Sequence, residues 1–268
     1  ICNANPAFEM AASSSFSSYD LSEAADVASS PCRWSDGFFF GKLAWWAADS
    51  HRAYFIDQER GDKVVRVVEF DTTSGATRVL FEEVSETHIN IAVDTDVARL
   101  HRYFPESNEL IWWSERSGWG HLYLYNLDTG LLKRAITSGD WRVRDVVYED
   151  EKKRELLIQT GARKAGRNPY YRDICRVHID SGKITTLLSS DDDYIVHFPE
   201  SVPVKAGRLA GKASAQTSGV SLSGEFIITT RSRADQIPIS FLVDNKGKEI
   251  LELEAANVSA LPNGWRWP

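Results

Sequence analysis

Several features that would indicate a function are missing from the 268-residue chain. It contains no run of about eighteen apolar residues, so we expect no segment that spans a membrane as a helix. The formal net charge is −7, whereas nucleic-acid binding needs a basic surface, so we expect no nucleic-acid partner. An acidic excess of this size is typical of a well-solvated surface and identifies no ligand.

Cysteine is scarce as well. Cys2, Cys32 and Cys175 lie far apart and form no CxxC pair, so we expect neither a zinc site nor a redox pair. A disulfide bridge between Cys2 and Cys32 is one alternative, and three free thiols are the one that we expect. The acidic run 191–193 lacks the spaced ligands and the glycine of a calcium loop, so we expect a solvated turn there. We expect no metal and no cofactor.

The beginning of the chain also lacks recognisable features. It starts at Ile1 without an initiator Met or a basic-then-apolar signal pattern, so we expect a trimmed piece of a longer protein. Residues 1–33 show no sustained periodicity. We predict an irregular lead-in there, with one short helix at 21–28.

What the chain does contain is a repeat. Four segments share the order strand, loop, strand, turn, strand, and each turn combines an Asp with a glycine. Glycine suits a hairpin turn with positive φ, and an Asp at the start of the turn can accept hydrogen bonds from the next backbone amides. The predicted turns, whose glycines are separated by 55, 52 and 65 residues, are 71–75, 128–130, 180–182 and 244–247.

One further strand candidate precedes each segment, so that each repeat contains four predicted strands. Alternating apolar residues between turn signals indicate these strands. The predicted strands are 43–46, 53–56, 64–70 and 76–81, then 88–93, 110–114, 121–127 and 131–136, then 142–148, 156–159, 173–179 and 183–188, and finally 194–198, 226–230, 238–243 and 248–253.

Four strands in a repeat of about fifty residues are typical of a β-propeller blade. We therefore predict an all-β fold, namely a β-propeller with about four blades of four antiparallel strands, as part of a larger propeller. A β-sandwich with regular hairpins is the alternative, but it would not need the same order of strands and turns four times. The predicted blades are 34–86, 87–138, 139–189 and 190–257, with an insertion at 199–219 and an exit segment at 258–268.

Three motifs carry a resemblance to a known family. Residues 112–125 are WWSERSGWGHLYLY, followed by ITSGDWRV at 136–143 and NPYYRDICRV at 168–177. In this order and spacing, they resemble the propeller domain of the dipeptidyl peptidase IV family, within the prolyl oligopeptidase group of serine peptidases. Bacterial members look most similar, and the resemblance extends over residues 34–268.

The resemblance implies a propeller of about eight blades, followed by an α/β-hydrolase domain that supplies the catalytic serine, aspartate and histidine. This chain would be the C-terminal part of that N-terminal propeller. Its partners would be the hydrolase domain of the parent chain and a peptide substrate. The parent enzyme would release Xaa-Pro dipeptides from peptide N-termini in the periplasm or after secretion, and the propeller would control access of the substrate.

The catalytic machinery of the family is absent from the sequence. The nucleophile motif G-x-S-x-G does not occur, and the nearest string, GVSLSG at 219–224, has another spacing and lies between predicted strands. Family members bind the amino terminus of the substrate through two glutamates, but Glu82 and Glu83 end an outer strand and do not match that context. We therefore predict no catalytic, cofactor-binding or metal-binding residue, and we expect the chain to be inactive alone.

The motif at 112–125 also concentrates polar and aromatic side chains. Glu115, Arg116 and His121 could line a central channel, but we expect Glu115 and Arg116 in a turn and His121 at the start of the next strand. Two tryptophan pairs, at 45–46 and 112–113, invite comparison with a stacking site. Successive strand residues point to opposite faces, so we expect one tryptophan of each pair in the core and the other against the adjacent blade.

A partial propeller ring would leave two apolar blade faces uncovered, and such faces bind a partner or aggregate. We therefore expect self-association into a homo-oligomer through the exposed blade faces. A stand-alone propeller that acts as a binding or scaffolding module is the alternative function. The gene sequence beyond Pro268 would distinguish the two, because only the peptidase would continue into a G-x-S-x-G domain.

Overall fold

The computed structural model describes residues 44–90, 101–196 and 219–257. In these ranges the chain forms sixteen β-strands and no helix. The described ranges therefore contain no helix of the length and apolarity needed to cross a membrane. The chain divides into two compact units, Ile1–Ala135 and Ile136–Pro268, which are unit 1 and unit 2 below.

Unit 1 contains two four-stranded antiparallel sheets, in each of which every strand pairs with the next strand along the chain. The inner strands of these sheets are continuous apolar runs that are buried on both faces, as in β2 and β6, which is typical of strands covered from both sides. Sheet 1 consists of β1 (Ala44–Trp46), β2 (Arg52–Gln58), β3 (Val64–Asp71) and β4 (Thr77–Val84). Sheet 2 consists of β5 (Arg102–Phe104), β6 (Glu109–Ser114), β7 (His121–Asn126) and β8 (Leu132–Ala135).

Unit 2 repeats this arrangement. Its strands also pair in chain order and antiparallel, which is the arrangement of a propeller blade. Sheet 3 consists of β9 (Arg142–Asp150), β10 (Glu155–Gly161), β11 (Arg172–His178) and β12 (Ile184–Leu188). Sheet 4 consists of β13 (Asp193–Val196), β14 (Phe226–Arg233), β15 (Gln236–Asp244) and β16 (Glu249–Ala255).

One of the sixteen predicted strands is wrong. Residues 88–90 of the predicted strand 88–93 form no strand, and 91–93 lie outside the described residues. The first described strand of sheet 2 is Arg102–Phe104, where Arg102 pairs with Ile111 and Phe104 with Glu109. The backbone N–H of Ile89 instead donates to the carbonyl of Asp62, at 2.6 Å, so this segment lies against the β2–β3 turn. A three-residue strand is too short to show periodicity, which explains why the sequence favoured the longer apolar alternation before it.

The four turn glycines adopt the predicted left-handed conformation. Their φ values lie between 69° and 83°, in Gly75, Gly130, Gly182 and Gly247. Asp71 and Asp244 accept backbone N–H groups at the start of their turns, as predicted.

The other two turns differ from the prediction, because they begin two residues earlier than expected. Asn126 accepts the backbone N–H of Thr129 through its side-chain oxygen, and Nδ1 of His178 accepts the N–H groups of Asp180 and Ser181. Asp128 pairs with Arg52 on sheet 1 instead. Asn and His side chains can therefore accept the backbone N–H groups of this turn in place of Asp.

The core of unit 1 lies between sheets 1 and 2 and is rich in aromatic rings. Tyr54, Trp112, Tyr123 and Tyr125 are at most 7% exposed, and Phe81 stacks on Tyr125 with 3.8 Å between ring centroids. Burial raises the pKa of Tyr54 to about 12, although its hydroxyl donates to Asn108. The core of unit 2, between sheets 3 and 4, is mainly aliphatic and includes Leu157, Ile174, Ile227 and Val243.

The tryptophan pairs follow the prediction only in part. Trp112 and Trp113 are 1% and 2% exposed, and Trp112 packs against sheet 1, as expected. Trp45 packs on the same core, with its ring 5.8 Å from that of Tyr54. Trp46 is 36% exposed, so its predicted burial is wrong.

Several predictions fall outside the described residues. These are the lead-in 1–33 with its helix, the exit segment 258–268, residues 199–218 of the insertion, and the pairing of Cys2 with Cys32. The predicted limits of the blades likewise stay predictions. Cys175 is described, and it is a buried free thiol.

Candidate functional site

The motif at 112–125 forms the hairpin of β6 and β7, and the residues of its loop take part in a polar cluster. The loop closes because the N–H of Gly118 donates to the carbonyl of Glu115, with φ of 89° at Gly118. The ring of Trp113 packs directly on Gly120, because a Cβ on residue 120 would lie 2.3 Å from that ring. Only glycine leaves room for this packing, so the sequence fixes the position of the loop beside the core.

Glu83, at the end of β4, is the centre of this cluster. Its carboxylate accepts three hydrogen bonds from sheet 2, from Trp112 Nε1 at 2.8 Å, Ser114 Oγ at 2.5 Å and Arg116 Nη2 at 2.8 Å. Charge-assisted bonds of this kind are stronger than neutral ones. The carboxylate is only 10% exposed and satisfied by these donors, so it fastens the two sheets together.

Arg116 completes the cluster, which we call the Glu83–Arg116 cluster (Glu83, Trp112, Ser114, Arg116 and Tyr125). Its Nη1 donates to Tyr125 Oη at 2.7 Å and its Nε donates to Ser114 Oγ at 2.9 Å. Burial alone would lower the pKa of Arg116, but Tyr125 and Glu83 outweigh it and hold the pKa above the ordinary value. The guanidinium is therefore a permanent cation inside a hydrogen-bonded frame.

The structure separates the two adjacent glutamates of β4. Glu82 pairs with Arg66 at 2.6 Å, whereas Glu83 pairs with Arg116. Neighbouring strand residues point to opposite faces, so the two carboxylates do not converge on one ligand.

The polar residues of the motif lie where the sequence predicted. Glu115 and Arg116 are in the turn, and His121 opens β7 with an exposure of 1%. What the sequence did not indicate is the ion pair of Arg116, because Glu83 precedes it by 33 residues and belongs to another sheet.

A second charged group surrounds Arg66 on sheet 1. Its guanidinium contacts three carboxylates, at 3.3 Å to Asp57, 2.7 Å to Glu59 and 2.6 Å to Glu82. Burial raises the pKa of Asp57, and the hydrogen bond from Arg66 opposes this shift. The positive charge of Arg66 therefore already neutralises these carboxylates. Among the residues that the structure describes, no three His, Cys, Asp or Glu side chains could together hold a metal ion.

The serine nearest to a nucleophile motif is used for structure. Ser221 Oγ accepts the backbone N–H groups of Glu225 at 3.1 Å and Phe226 at 3.0 Å, just before β14. Gly224 closes this turn with φ of 71°. No helix follows Ser221 in the described range 219–257, so the turn does not have the strand-to-helix form of a nucleophile elbow.

The acidic run 191–193 is not simply a solvated turn. Asp191 is exposed and lies 3.5 Å from Lys164, in agreement with the prediction. Asp193 instead begins β13 and binds the guanidinium of Arg172 through both oxygens, at 2.9 and 2.6 Å. The prediction is wrong for Asp193, because its partner lies 21 residues away on sheet 3 and leaves no local signal.

Comparisons with known proteins agree with the sequence motifs. The family described as dipeptidyl peptidase IV (DPP IV) N-terminal region matches residues 19–203. A protein described as a dipeptidyl aminopeptidase IV from Bacteroides ovatus ATCC 8483 is similar in structure, with a TM-score of 0.56 and 19% identity over 81% of this chain and 29% of that one. Dipeptidyl peptidase 4 from Porphyromonas gingivalis is similar with a TM-score of 0.59 and 18% identity, over 81% and 27%.

These likenesses establish the fold as an all-β, propeller-like one, as predicted. The chain spans less than a third of the length of either solved structure. Both of those proteins are bacterial.

Proposed function

Since the chain belongs to the family of dipeptidyl peptidase IV N-terminal regions, we propose that it is the non-catalytic propeller portion of a bacterial serine exopeptidase. The match over residues 19–203 is the observation that carries this proposal. The parent enzyme would release Xaa-Pro dipeptides from peptide N-termini, in the periplasm or after secretion. An α/β-hydrolase domain would supply its nucleophile, acid and base.

The chain would contribute to that reaction without touching the reacting atoms. Its blades would form part of the wall that controls which peptides reach the hydrolase domain, and they would pack on that domain. The described polar clusters support such a role, because the carboxylate of Glu83 and the hydroxyl of Ser221 are satisfied within the chain. These two groups, whose hydrogen bonds are made within the chain, therefore serve its structure.

A direct test is an activity assay on the purified chain with a chromogenic Xaa-Pro substrate. We expect no turnover from the chain alone. The positive control is the same chain joined to the hydrolase domain encoded after it. Turnover by the chain alone that a serine-directed inhibitor abolishes would contradict the non-catalytic assignment, and a gene without a G-x-S-x-G domain would contradict the peptidase assignment.

The alternative is a stand-alone propeller that acts as a binding or scaffolding module, and the outer face of sheet 4 favours it. Ile228 pairs with Leu242, which pairs with Leu251, so the three side chains share one face. Ile228 and Leu251 are 43% and 56% exposed, and Phe226 on the same face is 44% exposed. The opposite face of the same sheet is buried against sheet 3. An apolar face of this kind binds a partner, and for the isolated chain we propose a second copy.

Sedimentation of the isolated chain tests this association. We expect the wild-type chain to form a dimer, and the variants Ile228→Glu and Leu251→Glu to be monomers. Each of these substitutions would bury a carboxylate in the apolar interface. Leu131→Glu is the matched control, since Leu131 is 67% exposed in the turn before β8. A wild-type monomer, or equal dissociation in the control, would rule out self-association through this face.

A further inference from the structure

Arg163 in unit 2 forms no ion pair with a carboxylate, whereas most arginines of the described ranges do. At least ten arginines in the described ranges form an ion pair with an Asp or Glu. Arg163, in the β10–β11 loop, has no carboxylate within 4.0 Å among the residues that the structure describes, although it is half-buried. Removing a charge from water without a partner is unfavourable, so an unpaired guanidinium in this position is unusual.

Arg163 is nevertheless held in place. Its guanidinium carbon lies 5.1 Å from the ring centroid of Trp141, a cation–π contact. Its Nη1 donates to Cys175 Sγ at 2.9 Å and to Thr186 Oγ1 at 3.2 Å. Trp141 in turn rests on Gly139, where a Cβ would come within 2.8 Å of the indole nitrogen. The orientation of the guanidinium is thus fixed by three elements of sheet 3 and its loops, before any ligand binds.

Neither the neighbouring charges nor the thiol supplies the missing negative charge. Lys164 lies 3.5 Å from Asp191, and Arg167 lies 2.6 Å from Asp173, so the other two cations of the loop already have partners. Burial raises the pKa of the Cys175 thiol, and Arg163 opposes this shift only in part. The thiol is therefore neutral near pH 7, and one positive charge remains in the loop.

We propose that Arg163, with Trp141 and Thr186, forms an anchoring site for one carboxylate of a peptide. The fork of N–H groups on a guanidinium matches the two oxygens of a carboxylate. Cys175 and Thr186 hold Nη1, whereas no residue in the described ranges accepts from Nε or Nη2. A single cation suits a single negative charge, whereas phosphate groups are usually bound by several cations. The carboxylate can come from an acidic side chain or from a peptide C-terminus. This proposal goes beyond the proposed function and does not depend on it.

NMR with small probes tests the site on the isolated chain. The readout is the indole N–H signal of Trp141, assigned with Trp141→Phe. N-acetyl-aspartate amide offers one side-chain carboxylate, and N-acetyl-asparagine amide is its uncharged isostere. N-acetylglycine offers a terminal carboxylate, and inorganic phosphate represents another anion. We expect saturable shifts with the two carboxylates and none with the uncharged isostere. The carboxylate that binds more tightly shows whether the site prefers an acidic side chain or a peptide C-terminus.

Variants separate a site from a general charge effect. Arg163→Gln should weaken binding of the stronger carboxylate about tenfold or more, since it removes a charge-assisted hydrogen bond. Arg163→Lys keeps the positive charge but loses the forked pair of N–H groups, so it should weaken carboxylate binding less than Arg163→Gln does. Arg134→Gln is the matched control, because Arg134 also has no described carboxylate partner and only donates to its neighbour's carbonyl, Ala135 O. Unchanged amide spectra away from the loop establish that each variant is folded.

Three results would overturn the proposal. The first is an equal shift with the uncharged isostere or tighter binding of phosphate than of both carboxylates. The second is equal weakening by Arg134→Gln and Arg163→Gln. The third comes from Cys175→Ser: if carboxylate binding appears only in that variant, the thiolate is the counter-ion of Arg163 in the wild-type chain. Binding retained in Cys175→Ser supports the site.

Discussion

Units 1 and 2 join their two sheets with the same backbone contact but with different side chains. In unit 1 the turn glycine Gly130 lies so close to β4 that a Cβ would be 2.3 Å from the carbonyl oxygen of Leu80. In unit 2 a Cβ on Gly247 would likewise lie 2.3 Å from the carbonyl oxygen of Leu187 on β12. The turn of the second sheet therefore touches the outer strand of the first in both units.

The side chains between those sheets differ at equivalent positions. Glu109 pairs with Asn126, the first turn residue of sheet 2, and Phe226 pairs with Asp244, the first turn residue of sheet 4. Three residues further along each strand, Trp112 corresponds to Thr229. Both are at most 1% exposed. One backbone arrangement thus accommodates a tryptophan in one unit and a threonine in the other.

The polar link between the sheets differs as well. Glu83 is three residues beyond Leu80, and the same step from Leu187 leads to Ser190. Ser190 donates its hydroxyl to Asp192, a local contact, whereas Glu83 collects three donors from the other sheet. The repeated backbone contact therefore sets the geometry, while the side chains determine how strongly each pair of sheets is joined.

The largest difference between the units should follow from Trp112→Ala. Loss of this buried ring should lower the free energy of unfolding of unit 1 by about 4 kcal/mol, since it leaves a cavity and removes a donor to Glu83. Thr229→Ala in unit 2 should lower it by about 1 kcal/mol, since one hydrogen bond to Ile195 is lost. Urea unfolding followed by hydrogen exchange in each unit measures both. Equal losses would contradict the comparison.

Glu83→Ala should have the next largest effect. It leaves Arg116, Trp112 and Ser114 without their shared acceptor, and we expect a loss of about 3 kcal/mol. Glu82→Ala is the control on the same strand, and it should cost about 0.5 kcal/mol because that carboxylate is 41% exposed. Chemical denaturation of both variants decides the matter; similar losses would show that Glu83 is an ordinary surface residue.

The shared backbone contact can be tested with three glycines. Alanine is strained at positive φ by about 1 kcal/mol, which Gly75→Ala alone should show, since its Cβ would meet nothing within 4 Å. Gly130→Ala and Gly247→Ala should cost about 2 kcal/mol more, because the Cβ would collide with a carbonyl. Thermal unfolding compares the three. If Gly75→Ala is as costly as the others, the close approach contributes nothing.

The smallest effect concerns alkaline pH. The pKa of Tyr54 is raised from 10.0 to about 12, so the folded state holds the phenolic proton more tightly than the unfolded state does. Its stabilisation is complete below pH 10 and is lost as the pH rises through 12. At about pH 11 unit 1 should lose roughly 1 kcal/mol of stability that Tyr54→Phe does not lose. Leu157 occupies the equivalent position in unit 2 and does not titrate, so that position contributes no loss there. Hydrogen exchange at pH 9 and 11 measures this, and an equal loss in Tyr54→Phe would exclude Tyr54 as the cause.

Much of the fold could be predicted because its determinants are local. The turn glycines need positive φ, and the alternation around them identifies the strands, so fifteen of sixteen strands were predicted correctly. The exception, Arg102–Phe104, is held by pairing with β6 and not by its own pattern. The two unexpected turn starts were missed for another reason. Their acceptors are the side chains of Asn126 and His178, and the sequence pattern pointed to an Asp two residues later in each turn.

The polar clusters could not be predicted, because each depends on which sheets face one another. Glu83 and Arg116 are 33 residues apart, and no sequence period connects them. Arg163 was not recognised as a candidate either. Its sequence shows only a basic loop, and the lack of a counter-ion becomes visible only after the partners of Lys164 and Arg167 are known.

The outermost strand of sheet 4 carries its own protection against growth of the sheet. All seven residues of β16 are exposed, and Ile250, Leu251 and Leu253 would make an adhesive edge. Glu249, Glu252 and Glu254 are interspersed among them along the strand. A second β16 laid alongside would bring the carboxylates of the two strands close together, which disfavours pairing of the two edges. Strand-to-strand pairing is therefore disfavoured at this edge of sheet 4.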